Sequence, residues 1–425
     1  MEQNSDIASQ PAAAAETEKH DFIVAFVGIV VPDESGFVNE AFSRAGNMSQ
    51  LNLLKSLVAA EVRVSLVLSF LPIPSYPRTK RLWVSKQTVR LFGNCHAVLL
   101  PFINLQPIKQ IHWGISVFLR LLFWGLANWR TPKVVYLYNL SRPPAVFQYI
   151  AARLVRAKIV ASLYDITIPG VVDPDDVYQR MIFHMTKWII PRLDGRIVIT
   201  EQIVTDFAPG KSFLLVDGGV TKEALSIFEP VGKPVERPEF VLAFAGSLWE
   251  GNGIPVILKA FAQLKDPACR LWIAGKGELQ DEVLKASAND PRISYKGLLD
   301  HQGVLAMYEA ADVLLNIRIT KQVEVPYAFP SKFIEYLATG KCVVTTSFAH
   351  VESEYGQYCF VMKSETPEAL AEVIENVRKM GSEERQRFGA EAREYVARNK
   401  TWERQGLRIA KYLEGIMETR VESQR

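Results

Sequence analysis

The sequence predicts an α/β protein built from two doubly wound parallel-sheet domains that face a cleft. Three observations predict this. Apolar runs of strand length recur along the chain, each followed by a polar or glycine-containing loop and then a segment of helical periodicity. This alternation occurs twice, in residues 21–220 and again from residue 239, with a proline-interrupted segment at 221–238 that reads as a linker. The 425 residues suffice for two cores, and a content of 48% hydrophobic and 22% charged residues is ordinary for a globular protein.

Charge and cysteine usage narrow the class. The net charge is only +3, but Lys and Arg outnumber Asp and Glu by 21 to 13 in residues 21–220 and stand at 27 to 29 in residues 221–425. A basic first half suits phosphate groups or an anionic membrane surface, and no nucleic acid is expected as partner. Cys95, Cys269, Cys342 and Cys359 have no CxxC spacing, and six scattered histidines outline no zinc or redox site, which fits a reducing compartment. Residues 1–20, rich in Gln, Ala and Glu, read as a disordered tail, neither signal peptide nor anchor.

The first domain, residues 21–222, opens on F-I-V-A-F-V-G-I-V-V, the continuous apolar run of a central parallel strand. Asn47 or Ser49 is placed to cap a helix carrying Leu51, Leu54 and Leu57 on one face. No G-x-G-x-x-G follows the first strand, which argues against a dinucleotide. Residues 62–68 read as the next strand, and the loop after it carries Arg78, Lys80 and Arg81, either solvated or touching lipid headgroups. Residues 111–129 are the most apolar segment, with a narrow polar stripe of His112, Ser116 and Arg120 and three tryptophans, Trp113, Trp124 and Trp129. It admits three readings: a buried core helix, a helix lying in a membrane surface, and a true span. Strands follow at 134–138, 159–163, 196–199 and 212–216, with helices at 144–156 and 177–193. Asn139, Asp165, Glu201 and Asp217 follow these strands and form a candidate ring at the ligand-bearing edge, although each taken singly reads as a helix cap.

The second domain, residues 223–404, repeats the pattern with strands at 239–244, 270–273, 293–295 and 313–317. Three strand ends present glycine beside polar or basic residues: Gly246-Ser247, Gly275-Lys276-Gly277-Glu278 and Lys296-Gly297. Glycine lets the main chain approach a flat or anionic ligand closely. Arg318 ends the fourth strand. Pro326 and Pro330 then keep the chain extended before a short helix with Ser331 as its N-cap, Phe333 and Leu337 on its buried face, and Gly340 at its end. Its bare N–H groups, the Ser331 hydroxyl and Lys332 lie at the positive end of the helix dipole, where a phosphate is stabilised. Glu335, one turn in, is placed to accept hydrogen bonds from sugar hydroxyls; an ordinary capped helix is the alternative. With Arg318 and three glycine loops nearby in order, the pattern predicts a nucleotide-diphosphate pocket. The helices that follow read as packing elements, and residues 405–425 as a C-terminal helix returning toward the first domain.

In order and spacing, F-A-G-S-L…G-I-x-x-I-L-K-A-F (244–261), I-A-G-K-G-E (273–278), A-D-V-L-L-N-I-R (311–318) and F-P-S-K-F-I-E-Y-L-A-T-G-K (329–341) resemble the retaining glycosyltransferases of family 4. N-M-S-Q-L-N-L-L-K (47–55), T-E-Q (200–202) and V-D-G-G-V (216–220) are similar to bacterial members that build polysaccharide repeat units on a lipid carrier. The resemblance implies the GT-B fold, two Rossmann-like domains facing a cleft. It implies hexosyl transfer with retention, from a nucleotide-diphosphate sugar to a lipid-linked or saccharide acceptor, by a cytoplasmic protein peripheral on the inner face of the cell membrane. The donor would meet Gly246 and Ser247 at its phosphates, Lys332 and Arg318 at its diphosphate, and Glu335 at its ribose. The Gly275-Lys276-Gly277 and Gly297-Leu298 turns would flank the nucleoside, with Tyr327 and Ser331 beside them. Asn47, Ser49, Asn139, Asp165 and Glu201 would line the acceptor side, and Asp165, Lys332 and Glu335 would be catalytic. No metal site is implied, and no cofactor beyond the nucleotide sugar as co-substrate.

The sequence departs from the family pattern in three places. The first of the family's E-x7-E glutamates falls at Tyr327, with Glu324 out of register. The common Arg and Lys of the donor-phosphate loop fall at Ser247 and Asn252, and the histidine of the acceptor domain aligns with Tyr164, next to Asp165. These departures leave two alternatives: a catalytically impaired sugar-nucleotide-binding subunit, and a nucleotide-sugar epimerase of the same fold.

Overall fold

The computed structural model describes residues 20–37, 39, 41–140, 142–168, 176–228, 238–321 and 325–422. All but His20 of the expected tail, together with Pro230 and Pro234 of the linker and Glu324, lie outside the described residues.

The first sheet takes its strands from β1 (Ile23–Gly28), β2 (Arg63–Ser69), β4 (Gln87–Phe92), β5 (Cys95–Leu99), β7 (Lys133–Tyr138), β8 (Lys158–Leu163), β9 (Gly195–Val198) and β10 (Leu214–Leu215). They lie in the order β10-β9-β8-β7-β1-β2-β5-β4, parallel except where β4 runs against β5. A small antiparallel ribbon joins β3 (Trp83–Val84) to β6 (Phe102–Ile103). Helices α1 (Arg44–Ala59), α2 (Ile108–Ala127), α3 (Pro144–Leu154), α4 (Val177–Ile189) and α5 (Gln202–Phe207) connect these strands, and α6 (Lys222–Ile227) leads away from them. All six residues of β1 are buried, as its unbroken apolar run requires of a central strand covered on both faces. The β3–β6 excursion, like the short helix α5, is a part of this domain that the sequence reading passes over. Its signal is the Gly93-Asn94 pair between strand-like runs, a two-residue hairpin turn.

The second sheet has the order β13-β12-β11-β14-β15-β16 and is parallel throughout. Its strands are β11 (Phe240–Ala245), β12 (Cys269–Ala274), β13 (Ile293–Tyr295), β14 (Val313–Asn316), β15 (Cys342–Thr345) and β16 (Phe360–Val361). Helices α7 (Ile254–Gln263), α8 (Gln280–Asn289), α9 (His301–Ala310), α10 (Ser331–Ala338), α11 (Pro367–Lys379) and α12 (Ser382–Asn399) cover it, and α13 (Trp402–Glu422) follows. Each sheet carries one apolar cluster on each face.

The chain crosses between domains twice, and the two crossings are hydrogen-bonded to each other. Val220 N–H donates to the Lys400 carbonyl at 2.9 Å, and Trp402 N–H donates to the Val220 carbonyl at 3.0 Å. Beyond that point α13 packs on α1, placing Trp402, Ile409, Ala410 and Leu413 in a core cluster of the first domain. Asp217, read as one of a ring of polar groups, is instead buried at this crossing. Its carboxylate receives Lys400 Nζ at 3.0 Å, pairs with His350 Nε2 at 2.9 Å and accepts from the Tyr355 hydroxyl. Burial alone would raise its pKa, but the His350 hydrogen bond and the Lys400 charge hold it well below the usual carboxylate range. Asp217, His350 and Glu354 are spaced closely enough to ligate a metal. Lys400 Nζ also lies 2.6 Å from Glu354, so an ammonium already supplies the positive charge there.

Helix α2 half-buries part of its polar stripe together with one buried apolar side and leaves a second apolar side exposed. His112 Nδ1 accepts from Ile103 N–H at 3.0 Å and Ser116 Oγ donates to the Pro101 carbonyl at 3.1 Å, so two of the three stripe residues face the protein. Trp113, Val117 and Leu121 are buried beside them, while Ile111, Ile115, Leu119, Phe123 and Leu126 are exposed. No helix among the described residues is long and apolar enough to cross a membrane, which removes the spanning reading.

Candidate functional site

The carboxyl ends of β11 to β14 lie along one edge of the second sheet, the edge at which open parallel sheets bind ligands. The three glycine loops expected there are knitted into one backbone surface. Gly246 N–H donates to the Ala274 carbonyl at 3.0 Å, Leu248 N–H to the Lys276 carbonyl at 2.9 Å, and Gly275 N–H to the Gly297 carbonyl at 2.8 Å. Gly275 has φ +135°, and a Cβ there would lie 1.8 Å from the Gly246 carbonyl oxygen, so only glycine permits this approach. Ser247, Lys276, Gly277 and Leu298 are exposed along the surface.

Helix α10 starts one residue earlier than the sequence suggests. Pro330 takes the N-cap position in extended conformation, and Ser331 is the first helical residue, exposed and making no capping hydrogen bond. The first turn therefore opens outward. Lys332 Nζ donates to the Ala245 carbonyl at 2.8 Å, which ties the helix to the end of β11. Burial lowers the Lys332 pKa; Glu335 counteracts that shift and Arg318 adds to it. Arg318 is held by its N–H on Thr346 Oγ1 at 2.9 Å and by its guanidinium on Asn252 Oδ1 at 2.6 Å. Asn252 Nδ2 in turn donates to the Ser247 carbonyl at 2.7 Å. Asn252 was expected only as the place of an absent cation, yet it is the bracket that fixes the cation at 318.

Glu335 is accessible to solvent but hemmed in on its other sides. Burial raises its pKa, with Lys332 and His301 pulling it back down. Lys332 and Arg318 form no ion pair with a carboxylate among the described residues, so two cations converge at a helix N-terminus with Glu335, one turn away, as a counter-charge beyond ion-pair distance. That arrangement suits a doubly charged anion.

Across from this edge, the first sheet carries a cavity of ≈ 230 Å³ at the carboxyl ends of β1 and β7. Asn47, Asn139 and Asp165 line it; Ser49 and Glu201 do not. Asn47 uses both side-chain polar atoms on the backbone of Val31, at 2.9 and 3.0 Å, and Gln50 clamps Ile29 in the same way. Asn139 sits at φ +61° and accepts from Tyr164 N–H at 2.8 Å. Ser49 accepts from the Tyr138 hydroxyl at 3.1 Å, and Glu201 is exposed at the start of α5. Burial raises the Asp165 pKa against the pull of Arg142. Arg142 itself lines the cavity, and the sequence reading had not singled it out. Its only local signal is a basic residue in the loop before a Pro-Pro helix start.

The two edges also touch beside Pro326 and Tyr327. Thr200 Oγ1 donates to the Pro326 carbonyl at 2.8 Å, the Tyr327 hydroxyl donates to Asp206 at 2.7 Å, and the Tyr327 ring meets Phe207 at 5.8 Å between centroids. Tyr327, expected beside the donor, thus directs its hydroxyl to the first domain.

Residues 239–379 match the family model described as Glycosyl transferases group 1. No curated protein matches the chain. Among solved structures, the chain is similar to a sucrose-phosphate synthase from Thermosynechococcus elongatus at 15% identity and TM-score 0.63, over 94% of this chain and 100% of that one. It is similar to Anabaena HepE in complex with UDP and glucose at 14% identity and TM-score 0.59, over 93% and 100%. A UDP-forming α,α-trehalose-phosphate synthase from Burkholderia vietnamiensis is similar at 12% identity and TM-score 0.60, over 94% and 99%. These likenesses show the fold: two parallel-sheet α/β domains in the GT-B arrangement.

Proposed function

We propose that the protein is a retaining glycosyltransferase that moves a sugar from a nucleotide-diphosphate donor to a lipid-linked saccharide at a membrane surface, in polysaccharide or glycolipid synthesis. One observation carries this reading. Lys332, Arg318 and the open first turn of α10 converge, without a paired carboxylate, on the strand ends where three glycine loops expose backbone. A departing nucleotide diphosphate develops negative charge there, and preorganised cations stabilise it as the glycosidic bond breaks. Glu335, one turn further along α10, is placed for the ribose hydroxyls. HepE, described with UDP and UDP-glucose, supports a nucleotide sugar as the donor class.

The membrane part of the proposal rests on the outer face of α2 to α4. Phe123 is 64% exposed, Val177 70% and Leu154 56%, and Trp83, 56% exposed, packs its ring against His112 of α2. Exposed Arg78, Lys80 and Arg81 flank this face. An apolar face rimmed by cations fits the interfacial zone of an anionic bilayer.

The test is thermal stabilisation of the purified protein across a panel of nucleotide sugars, since a ligand bound only to the folded state raises Tm. Lys332→Ala should weaken donor binding by about 1.5–3 kcal/mol, roughly 10- to 150-fold, as for a lost charge-assisted hydrogen bond. Unchanged affinity in that variant would remove the proposed pocket. A second reading, a sugar-nucleotide-binding subunit without turnover, draws on Tyr327, whose hydroxyl is engaged by Asp206 where the family places a glutamate. Tight donor binding with neither transfer nor donor hydrolysis would select it.

A further inference from the structure

We propose that the cavity of the first domain takes a phosphate group of the acceptor, with Arg142 as the residue that touches it and Lys109 as the charge behind it. The inference rests on the glycosyltransferase reading and assigns the acceptor's anionic group to a place.

Arg142 and Lys109 both lie against the Trp113 ring, at 5.6 and 4.8 Å from its centroid. Neither forms an ion pair within 4.0 Å among the described residues, and Arg142 donates no side-chain hydrogen bond there. Lys109, 4% exposed, donates to the Ile73 carbonyl at 2.7 Å and reaches Ser75 Oγ at 3.4 Å, so its hydrogen bonds are largely met but its charge is not. A guanidinium stays charged at any ordinary pH, and two like charges on one indole repel each other. A cation–π contact contributes about 0.5–2 kcal/mol, less than the several kcal/mol that removing an ion from water costs. Asp165 lies within electrostatic reach of Arg142 but beyond ion-pair distance, and burial shifts its pKa more than Arg142 does. Asn47 and Gln50 are committed to backbone, and Asn139 Oδ1 accepts from Tyr164 N–H, while Gln148 and the Asn139 amide are neutral donors at the same cavity. Among the cavity's lining residues Arg142 is the cationic donor, which is what an anionic ligand needs. At ≈ 230 Å³ the cavity is far larger than the roughly 10–15 Å³ that a single ordered water needs.

The position suits an amphiphile. Lys109 belongs to the first turn of α2, whose outer stripe is apolar, while the cavity opens at the strand ends that face the second domain. A lipid along α2 would change to phosphate at Arg142 and present its sugar toward the cleft.

Calorimetric titration with inorganic pyrophosphate and with geranyl diphosphate tests this, in a Lys332→Ala background that weakens the donor-side anion site. Arg142→Gln should lower affinity for both probes at least tenfold, and Arg142→Lys should fall between it and the parent. Should Arg142→Gln not fold by circular dichroism, Arg142→Lys alone decides, with full retention of affinity overturning the proposal. Anion binding that vanishes with Lys332→Ala and ignores Arg142 overturns it too. An equal loss on phosphatidylglycerol vesicles would also overturn it, assigning Arg142 to bulk headgroups. The donor thermal shift, read in parallel, keeps the two ideas separate: its absence sinks the glycosyltransferase reading, whereas its presence with Arg142-independent anion binding sinks only this one.

Discussion

Gly275 and Gly297 show how one residue type serves two purposes. Both have positive φ, but a Cβ at Gly297 would enter open space, whereas one at Gly275 would strike the Gly246 carbonyl. Gly297→Ala should therefore cost about 1–2 kcal/mol, the backbone term alone. Gly275→Ala should cost more and should also reduce nucleotide-sugar binding, because the loops beside the site must separate; equal losses in urea unfolding would contradict this. Lys109 supplies a pH prediction. Burial, with Arg142 adding to it, lowers its pKa from 10.5 to about 8 in the fold. The unfolded chain thus holds that proton more tightly, and the unfolding free energy gains from this group as pH rises from about 8 to about 10.5. The gap in stability between wild type and Lys109→Met should shift in favour of wild type between pH 7.5 and pH 10; a constant gap would mean that Lys109 titrates normally.

At the scale of the element, α2 is the segment whose composition left three readings open. Packing divides it: Trp113, Val117 and Leu121 enter the core, while Ile115, Leu119 and Phe123 remain outside. The membrane reading predicts that Ile115→Gln with Phe123→Gln greatly reduces binding to anionic vesicles. Stability should change by no more than about 1 kcal/mol, since neither side chain is buried. Binding of the parent should fall with salt, because exposed Arg78, Lys80 and Arg81 act through a screened field. Vesicle binding that survives the double substitution would place the membrane contact elsewhere.

At the scale of the whole molecule, the two crossings and the Asp217 cluster tie the domains together. Asp217, 1% exposed, joins the end of the first domain to His350 and Tyr355 of the second and to Lys400 at the return crossing. Asp217→Asn leaves the Lys400 ammonium buried with weaker compensation and should cost about 3–5 kcal/mol, as for breaking a buried ion pair. The measurement is urea unfolding near neutral pH, and a loss below about 1 kcal/mol would show that the crossing is held by other contacts. Because the folded carboxyl is held below its ordinary value of 3.8, its contribution is present above that pH and declines as pH falls further.

Local pattern alone determined the strand–loop–helix alternation, the glycine loops at the strand ends and the helix that carries Lys332, because period and turn chemistry are written in neighbouring residues. It did not place Arg142 on Trp113, Asn252 under Arg318, Tyr327 on Asp206 or Asp217 beneath Lys400. Each of those contacts joins residues from about 30 to more than 180 positions apart. Only the tertiary structure brings such groups together, and burial there decides whether a charge is solvated, paired or left waiting for a ligand. The same holds for α2: its sequence is apolar nearly all round, and the neighbours it packs against chose which face would meet the surroundings.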